Sequence, residues 1–111
     1  MSRVVLVCGG RTYGDRTGMT QELAKLQPTK IVHRAANRAD GLAGVSARAR
    51  QVVVYRAEWA KYGRSARPRR NAVMLERELP DVVIACRGGA GTADTVRRAK
   101  SAGIRVIEVA A

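Results

Sequence analysis

The chain has 111 residues, enough for one compact core and too few for two, so we predict a single domain spanning residues 1–111. Phe is absent and aromatic residues make up only 4%, so the core must be built from Val, Ile, Leu and Ala. The formal net charge of +12 comes from 21 Lys and Arg against 9 Asp and Glu. It indicates either an anionic partner (a nucleotide, a nucleic acid or an acidic protein) or a compositional bias of the host genome.

The first apolar run and the two cysteines bear on location and metal binding. The run at residues 4–8 is far shorter than a signal peptide or a membrane span, so we expect a cytoplasmic protein without a membrane partner. Cys8 and Cys86 stand in apolar runs and not at metal-ligand or disulfide-framework spacing. We therefore predict two buried, reduced thiols and no metal site.

Five apolar runs have strand length, at residues 3–8, 30–33, 51–56, 81–86 and 104–109. Residues 4–8 and 82–86 are apolar at every position, as expected of central strands that are covered on both faces. Segments whose apolar residues have helical spacing lie between these runs. This alternation predicts an α/β fold, a Rossmann-like three-layer sandwich whose five-stranded parallel sheet has the strand order 3-2-1-4-5.

Four helices are expected between the strands. Each is defined by three apolar residues at helical spacing: Met19, Leu23 and Leu26; Leu42, Val45 and Ala49; Ala72, Leu75 and Leu79; Ala93, Val96 and Ala99. Asp40 and Thr92 are predicted to cap the second and fourth helices, and Pro68 to lie in the first turn of the third. Pro80 and Gly103 mark helix ends.

Glycine-rich segments, residues 9–14 and 87–92, follow the first and fourth strands. Ligands of such sheets bind where the strand order reverses, at the carboxyl ends of the strands, so both segments should converge on one crevice. Glycine lets backbone amides approach an anion, and Gly91-Thr92 opens a helix whose N-terminus attracts phosphate. A tight turn without a ligand is the alternative for either segment alone. Neither segment fits the dinucleotide fingerprint or the phosphate loop, which disfavours NAD binding and ATP hydrolysis, and we predict no cofactor.

Several motifs along almost the whole chain resemble one protein family. They are Gly9-Gly10-Arg11-Thr12-Tyr13, Ala39-Asp40, Glu58-Trp59, Arg70-Asn71 and Gly88-Gly89-Ala90-Gly91-Thr92-Ala93-Asp94. In these the chain is similar to the YspA-type, cpYpsA-related branch of the SLOG superfamily. The superfamily includes LOG phosphoribohydrolases, bacterial sensor domains for nucleotide signals and the single-strand-binding protein DprA. The resemblance implies a Rossmann-like fold and a nucleotide-derived ligand. It is also compatible with a homodimer.

The chain departs from this family at two loops. LOG enzymes read Pro-Gly-Gly-x-Gly-Thr-x-x-Glu with a catalytic Glu, whereas this chain has Arg87 at the Pro position and Thr95 at the Glu position. Asp94 or Glu58 would have to replace that carboxylate. The branch also usually has His-Gly-Gly-Ala-x-Gly-Ala-Asp after the second strand, where this chain has residues 33–40 with three glycines lost. Two of these are replaced by Arg34 and Arg38, whose side chains could reach an anion.

The predicted ligand-binding residues combine the two loops with an arginine pair: Gly9, Gly10, Arg11, Arg70, Asn71, Arg87, Gly88, Gly89, Gly91 and Thr92. Arg11 would fork onto phosphate, and Arg70-Asn71 resembles the ligand-facing arginine region of LOG proteins. For both, a solvated surface position is the alternative. Asp40 could instead bind a ribose hydroxyl. We expect Trp59 to close the end of the core, with stacking on a base as the alternative.

Three functions remain open from the sequence. The first is binding of a phosphate-bearing nucleotide, or a derivative of one, by a sensor or sequestering protein. The second is LOG-like cleavage of nucleoside monophosphates, for which no catalytic residue can be named. The third is DprA-like binding of single-stranded nucleic acid, which the net charge favours and the scarcity of aromatic residues disfavours.

Overall fold

The computed structural model describes residues 3–9, 16–34, 51–86 and 90–109. Five strands form one sheet: β1 Val4–Cys8, β2 Lys30–Arg34, β3 Gln51–Tyr55, β4 Val82–Cys86 and β5 Arg105–Val109. All neighbouring strands are parallel, in the order β3-β2-β1-β4-β5. The predicted sheet and strand order are confirmed, and each strand lies within one residue of its predicted bounds.

Strand burial follows the apolar pattern of the sequence. Every residue of β4 is buried, as are the last four of β1, whereas the edge strands β3 and β5 contain only exposed and partly buried residues. The two fully apolar runs therefore occupy the centre of the sheet, where helices can cover both faces. Cys8 and Cys86 are both buried and form no disulfide with each other, as expected.

The described helices are α1 Arg16–Leu26, the short α2 Trp59–Tyr62, α3 Ala66–Glu78 and α4 Ala90–Ser101, with a 3₁₀ turn at Gly63–Ser65. Pro68 lies in the first turn of α3, and Pro80 and Gly103 follow the ends of α3 and α4, as predicted. The predicted second helix, with Leu42, Val45, Ala49 and its cap Asp40, lies outside the described residues.

Two apolar clusters fill the space between sheet and helices. On one face Leu23 and Leu26 of α1 pack against Val5, Ile31 and Ile84. On the other face α3 and α4 pack against the opposite side of the same strands, through Met74, Leu75 and Ala99. Helices thus cover both faces, which makes the fold a Rossmann-like sandwich. No helix in the described ranges has the length and apolar character needed to cross a membrane.

Two predicted core positions were wrong. Leu79 lies beyond the end of α3 in a left-handed conformation (φ 44°), where 71% of its surface is exposed, while Met74 fills the core. The helix ends before Leu79 because Pro80 follows and disfavours helical geometry in the residue before it. Ala93 is exposed on α4, whereas Val96 and Ala99 face the core as expected. The side chain of Met19 is not among those described.

Candidate functional site

The strand order reverses between β1 and β4, and the carboxyl ends of these strands touch. A Cβ atom built on Gly9, which directly follows β1, would lie 3.0 Å from the Cβ of Cys86 at the end of β4. The starting points of the two predicted glycine-rich loops are therefore adjacent. Of the other predicted loop residues, Gly10, Arg11, Arg87, Gly88 and Gly89 lie outside the described residues.

Arg34, the last residue of β2, connects the two loops. Its Nη2 atom donates a hydrogen bond to the Gly9 carbonyl at 2.9 Å and another to the Thr92 hydroxyl at 2.9 Å. A Cβ atom built on Gly91 would lie 2.9 Å from Nη1 of the same guanidinium group. Arg34 therefore lies against the first turn of α4, and the absence of a side chain at position 91 makes room for it.

Thr92 has a different role from the predicted one. We expected it to cap α4, but the helix begins at Ala90, so Thr92 lies within the first turn and is buried. Its hydroxyl oxygen accepts the hydrogen bond from Arg34. The residue therefore connects the helix N-terminus to β2 and does not satisfy a free amide of its own helix.

Asn71 connects α3 to the same helix N-terminus and is fully buried. Its amide Nδ2 donates to the Gly91 carbonyl at 3.3 Å and to Oδ2 of Asp94 at 3.0 Å. Its Oδ1 accepts a hydrogen bond from Nε of Arg70 at 2.9 Å. Both ends of the amide are thus bonded to protein atoms, so Asn71 positions Arg70 and α4.

Two of the three positions considered for a LOG-like carboxylate, Thr95 and Asp94, are engaged in other contacts. Thr95, at the position of the LOG glutamate, is buried and donates its hydroxyl hydrogen to the Gly91 carbonyl at 3.1 Å. Asp94 forms ion pairs with Arg97 and Arg98. Burial raises the pKa of Asp94, but hydrogen bonds from Asn71 and Arg98 and the arginine charges outweigh it, so that pKa lies below its usual value.

Replacing Asp94 by asparagine should lower the free energy of unfolding near neutral pH by about 1–3 kcal/mol, because a charged hydrogen-bond acceptor is lost. The native pKa of Asp94 is depressed, so its contribution is present above the unfolded pKa of about 3.9 and is lost as pH falls through the lower native value. In urea unfolding at about pH 7 and about pH 2, the gap between wild type and D94N should therefore narrow at the lower pH.

The exposed carboxylate Glu76 on α3 provides the matched control. E76Q should change the free energy of unfolding by less than about 0.5 kcal/mol, as is usual for surface substitutions. A D94N gap of the same size at both pH values would contradict the assigned ion pairs.

Arg34, Arg67 and Arg70 lie near enough for their charges to act on one another, and the charges of Arg34 and Arg70 also act on Cys8. Burial, followed by the charges of Arg34 and Arg67, lowers the pKa of Arg70 to about 10. Burial also lowers the pKa of Arg34, and the charge of Arg67 adds to this effect. Within the described ranges no carboxylate contributes to either shift. The molecule therefore holds like charges close together at the carboxyl ends of the strands. A bound anion would reduce the repulsion between them.

Cys8 lies near Arg34 and Arg70, but burial outweighs the effect of their charges on the pKa of its thiol. Burial raises the pKa of its thiol to about 11, although the charges of Arg34 and Arg70 act in the opposite direction. The thiol is therefore protonated at neutral pH. The described residues also contain no group of three or more His, Cys, Asp or Glu side chains that could hold a metal ion.

Trp59 does not close the end of the core, contrary to our expectation. It begins α2 with 51% of its surface exposed, and its ring lies under the guanidinium of Arg67, whose Cζ is 5.1 Å from the ring centroid. The segment that carries it is too short and too polar to bury the ring, and α2 has no buried residue.

The sequence analysis named Arg34 only as a side chain that could reach an anion, and it did not single out Arg67 from the basic residues around it. The signal for Arg34 was its position directly after the predicted second strand at residues 30–33, which places it at the carboxyl end of the sheet. For Arg67 no local signal distinguished it from the other arginines around it. Compared with known proteins, the chain matches no protein-family model and no curated protein.

Proposed function

We propose that this protein binds a phosphate-bearing nucleotide, or a derivative of one, at the carboxyl ends of β1, β2 and β4. The observation that carries the proposal is the proximity of Arg34, Arg67 and Arg70 to one another, with Arg34 bonded to Thr92 in the first turn of α4. Arginine side chains and a helix N-terminus are the two elements with which proteins most often hold phosphate. The resemblance to YspA-type SLOG proteins supports the same ligand class.

The arrangement favours phosphate over a protein carboxylate for a physical reason. Bringing guanidinium groups together and burying them costs free energy, and among the described residues no acidic side chain offsets this cost at Arg34 or Arg70. A phosphate group carries up to two negative charges and several acceptor oxygens, so one ligand can satisfy more than one arginine. We infer that the unliganded site is electrostatically incomplete.

Binding without turnover is the form of the proposal that the site supports. LOG-like cleavage of a base-ribose bond needs an acid-base carboxylate. Thr95 occupies the corresponding position, and Asp94 is held by Asn71 and Arg98. Glu58, the remaining substitute named from the sequence, is exposed ahead of α2 and lacks the burial that an acid-base carboxylate normally has.

Isothermal titration calorimetry with nucleoside monophosphates, ADP-ribose and cyclic nucleotides tests the proposal. We expect saturable binding of at least one of these ligands at physiological salt, and no binding of the corresponding nucleosides, since the arginines recognise the phosphate. Absence of heat across the panel would end the proposal. Release of free base during the titration, detected by chromatography, would show turnover and replace binding by hydrolysis.

A further inference from the structure

Trp59 is an unusual surface residue, because it is the one tryptophan of the chain and half of it is exposed. Indole rings are normally buried or engaged at interfaces, since they carry a large apolar area. Here Arg67 lies over the ring, at 5.1 Å from Cζ to the centroid. The ring therefore has a cation over it, while half of the residue's surface is exposed.

A continuous run of groups connects this ring to the phosphate end of the site. Arg67 and Arg70 are three residues apart in α3, so they lie on one face of the helix, about 4.5 Å apart along its axis. Arg70 bonds to Asn71, and Asn71 bonds to the Gly91 carbonyl in the first turn of α4. Trp59 is thus connected to the proposed phosphate site through Arg67 and Arg70 of α3.

The neighbouring aromatic side chain differs in its surroundings. Tyr62 carries cations on its ring, with Lys61 Nζ 5.1 Å and Arg69 Cζ 4.5 Å from the centroid. It is less exposed than Trp59. Both rings contact cationic side chains, but less of Tyr62 is exposed to solvent. Tyr62 is therefore a matched control for Trp59.

We propose that the Trp59 ring is the platform on which the base of the bound nucleotide stacks, with Arg67 bridging the base and phosphate ends of the site. This inference rests on the proposed function and makes it more specific, because it requires a ligand with an aromatic base. A sugar phosphate alone would use only the arginine end. Stacking on an aromatic ring tolerates every base, so the platform selects nucleotides as a class.

The emission of this single tryptophan reports directly on the proposed contact. We would titrate the protein with AMP, GMP, CMP, UMP and ADP-ribose, and separately with ribose 5-phosphate, correcting for nucleotide absorption. A binding nucleotide should quench the emission of Trp59, whereas ribose 5-phosphate should bind by calorimetry without comparable quenching. Equal behaviour of the two ligand types would overturn the stacking proposal.

Substitution separates the base contact from the phosphate contact. W59L should weaken nucleotide binding about 5- to 150-fold, the range measured for base stacking on aromatic side chains, and leave ribose 5-phosphate binding unchanged. W59F should restore part of the nucleotide affinity. The control Y62L should change neither affinity. Unchanged nucleotide affinity in W59L would also overturn the proposal.

The outcomes distinguish this inference from the proposed function. If nucleotides and ribose 5-phosphate bind equally well and W59L has no effect, the phosphate site stands and the stacking platform is wrong. If none of the probes binds, the proposed function itself fails, and the platform fails with it. Quenching by a single-stranded oligonucleotide but by none of the mononucleotides would assign the ring to nucleic acid and overturn the inference.

Discussion

Replacing Arg70 by glutamine will weaken binding of the phosphate-bearing ligand by about 10- to 150-fold, because a charged hydrogen bond of about 1.5–3 kcal/mol is lost. Arg70 is partly exposed, stands beside Arg34 and Arg67, and has its Nε held by the buried Asn71. Its guanidinium is therefore oriented before a ligand arrives, which limits the entropy lost on binding. Calorimetry with the best nucleotide of the panel measures the change.

Two further measurements make this result interpretable. R105Q removes the same charge from the exposed start of β5, at the edge of the sheet, and should change affinity by less than about threefold if local contacts and not net charge dominate. Thermal unfolding of R70Q checks that the fold persists, since Oδ1 of Asn71 loses its partner. Equal losses of affinity in R70Q and R105Q would contradict a specific phosphate contact.

Alanine at Gly9 should mainly lower stability, whereas alanine at Gly91 should mainly lower ligand affinity. The Cβ of G9A would lie 3.0 Å from the Cβ of the buried Cys86, so the backbone must move, at a cost of about 1–3 kcal/mol of stability. The Cβ of G91A would meet the end of the Arg34 side chain, which can rotate away at little cost to the fold. G91A should therefore leave stability within about 1 kcal/mol and lower ligand affinity about tenfold.

The two variants serve as controls for each other. Chemical denaturation of both, followed by calorimetry at a temperature where both are folded, gives the two quantities needed. If G91A binds as tightly as wild type, then Arg34 does not contact the ligand. If G9A is as stable as wild type, the contact between the ends of β1 and β4 is looser than described.

The sheet could be predicted from the sequence because short apolar runs identify its strands. The runs at 4–8 and 82–86 are apolar at every position, and only central strands of a parallel sheet tolerate that pattern. The ends of helices were harder to place. Leu79 fits the helical spacing of α3, yet α3 ends one residue earlier, and Thr92 resembles a cap although α4 begins before it. Periodicity indicates which face is apolar but does not fix where a helix begins or ends.

The site was predictable only in part. Glycines after two central strands indicate where other groups approach the backbone closely: Gly9 lies against Cys86, and Gly91 lies against the Arg34 side chain. Which of the many arginines joins them depends on strand register and on the packing of α3, neither of which is a local property of the sequence. Arg34 reaches Gly9 and Thr92 because β2 is the neighbour of β1 and ends level with it. The exposure of Trp59 is likewise a result of packing.

The bridge made by Arg34 has a consequence for how the protein matures. Its guanidinium joins a residue 25 positions earlier in the chain to one 58 positions later. Contacts of such long range form late, because the intervening chain must be ordered before they yield any free energy. A nascent chain that still lacks β4 cannot form the proposed binding site, so a ligand of that site would bind only folded molecules and would stabilise them against unfolding by mass action.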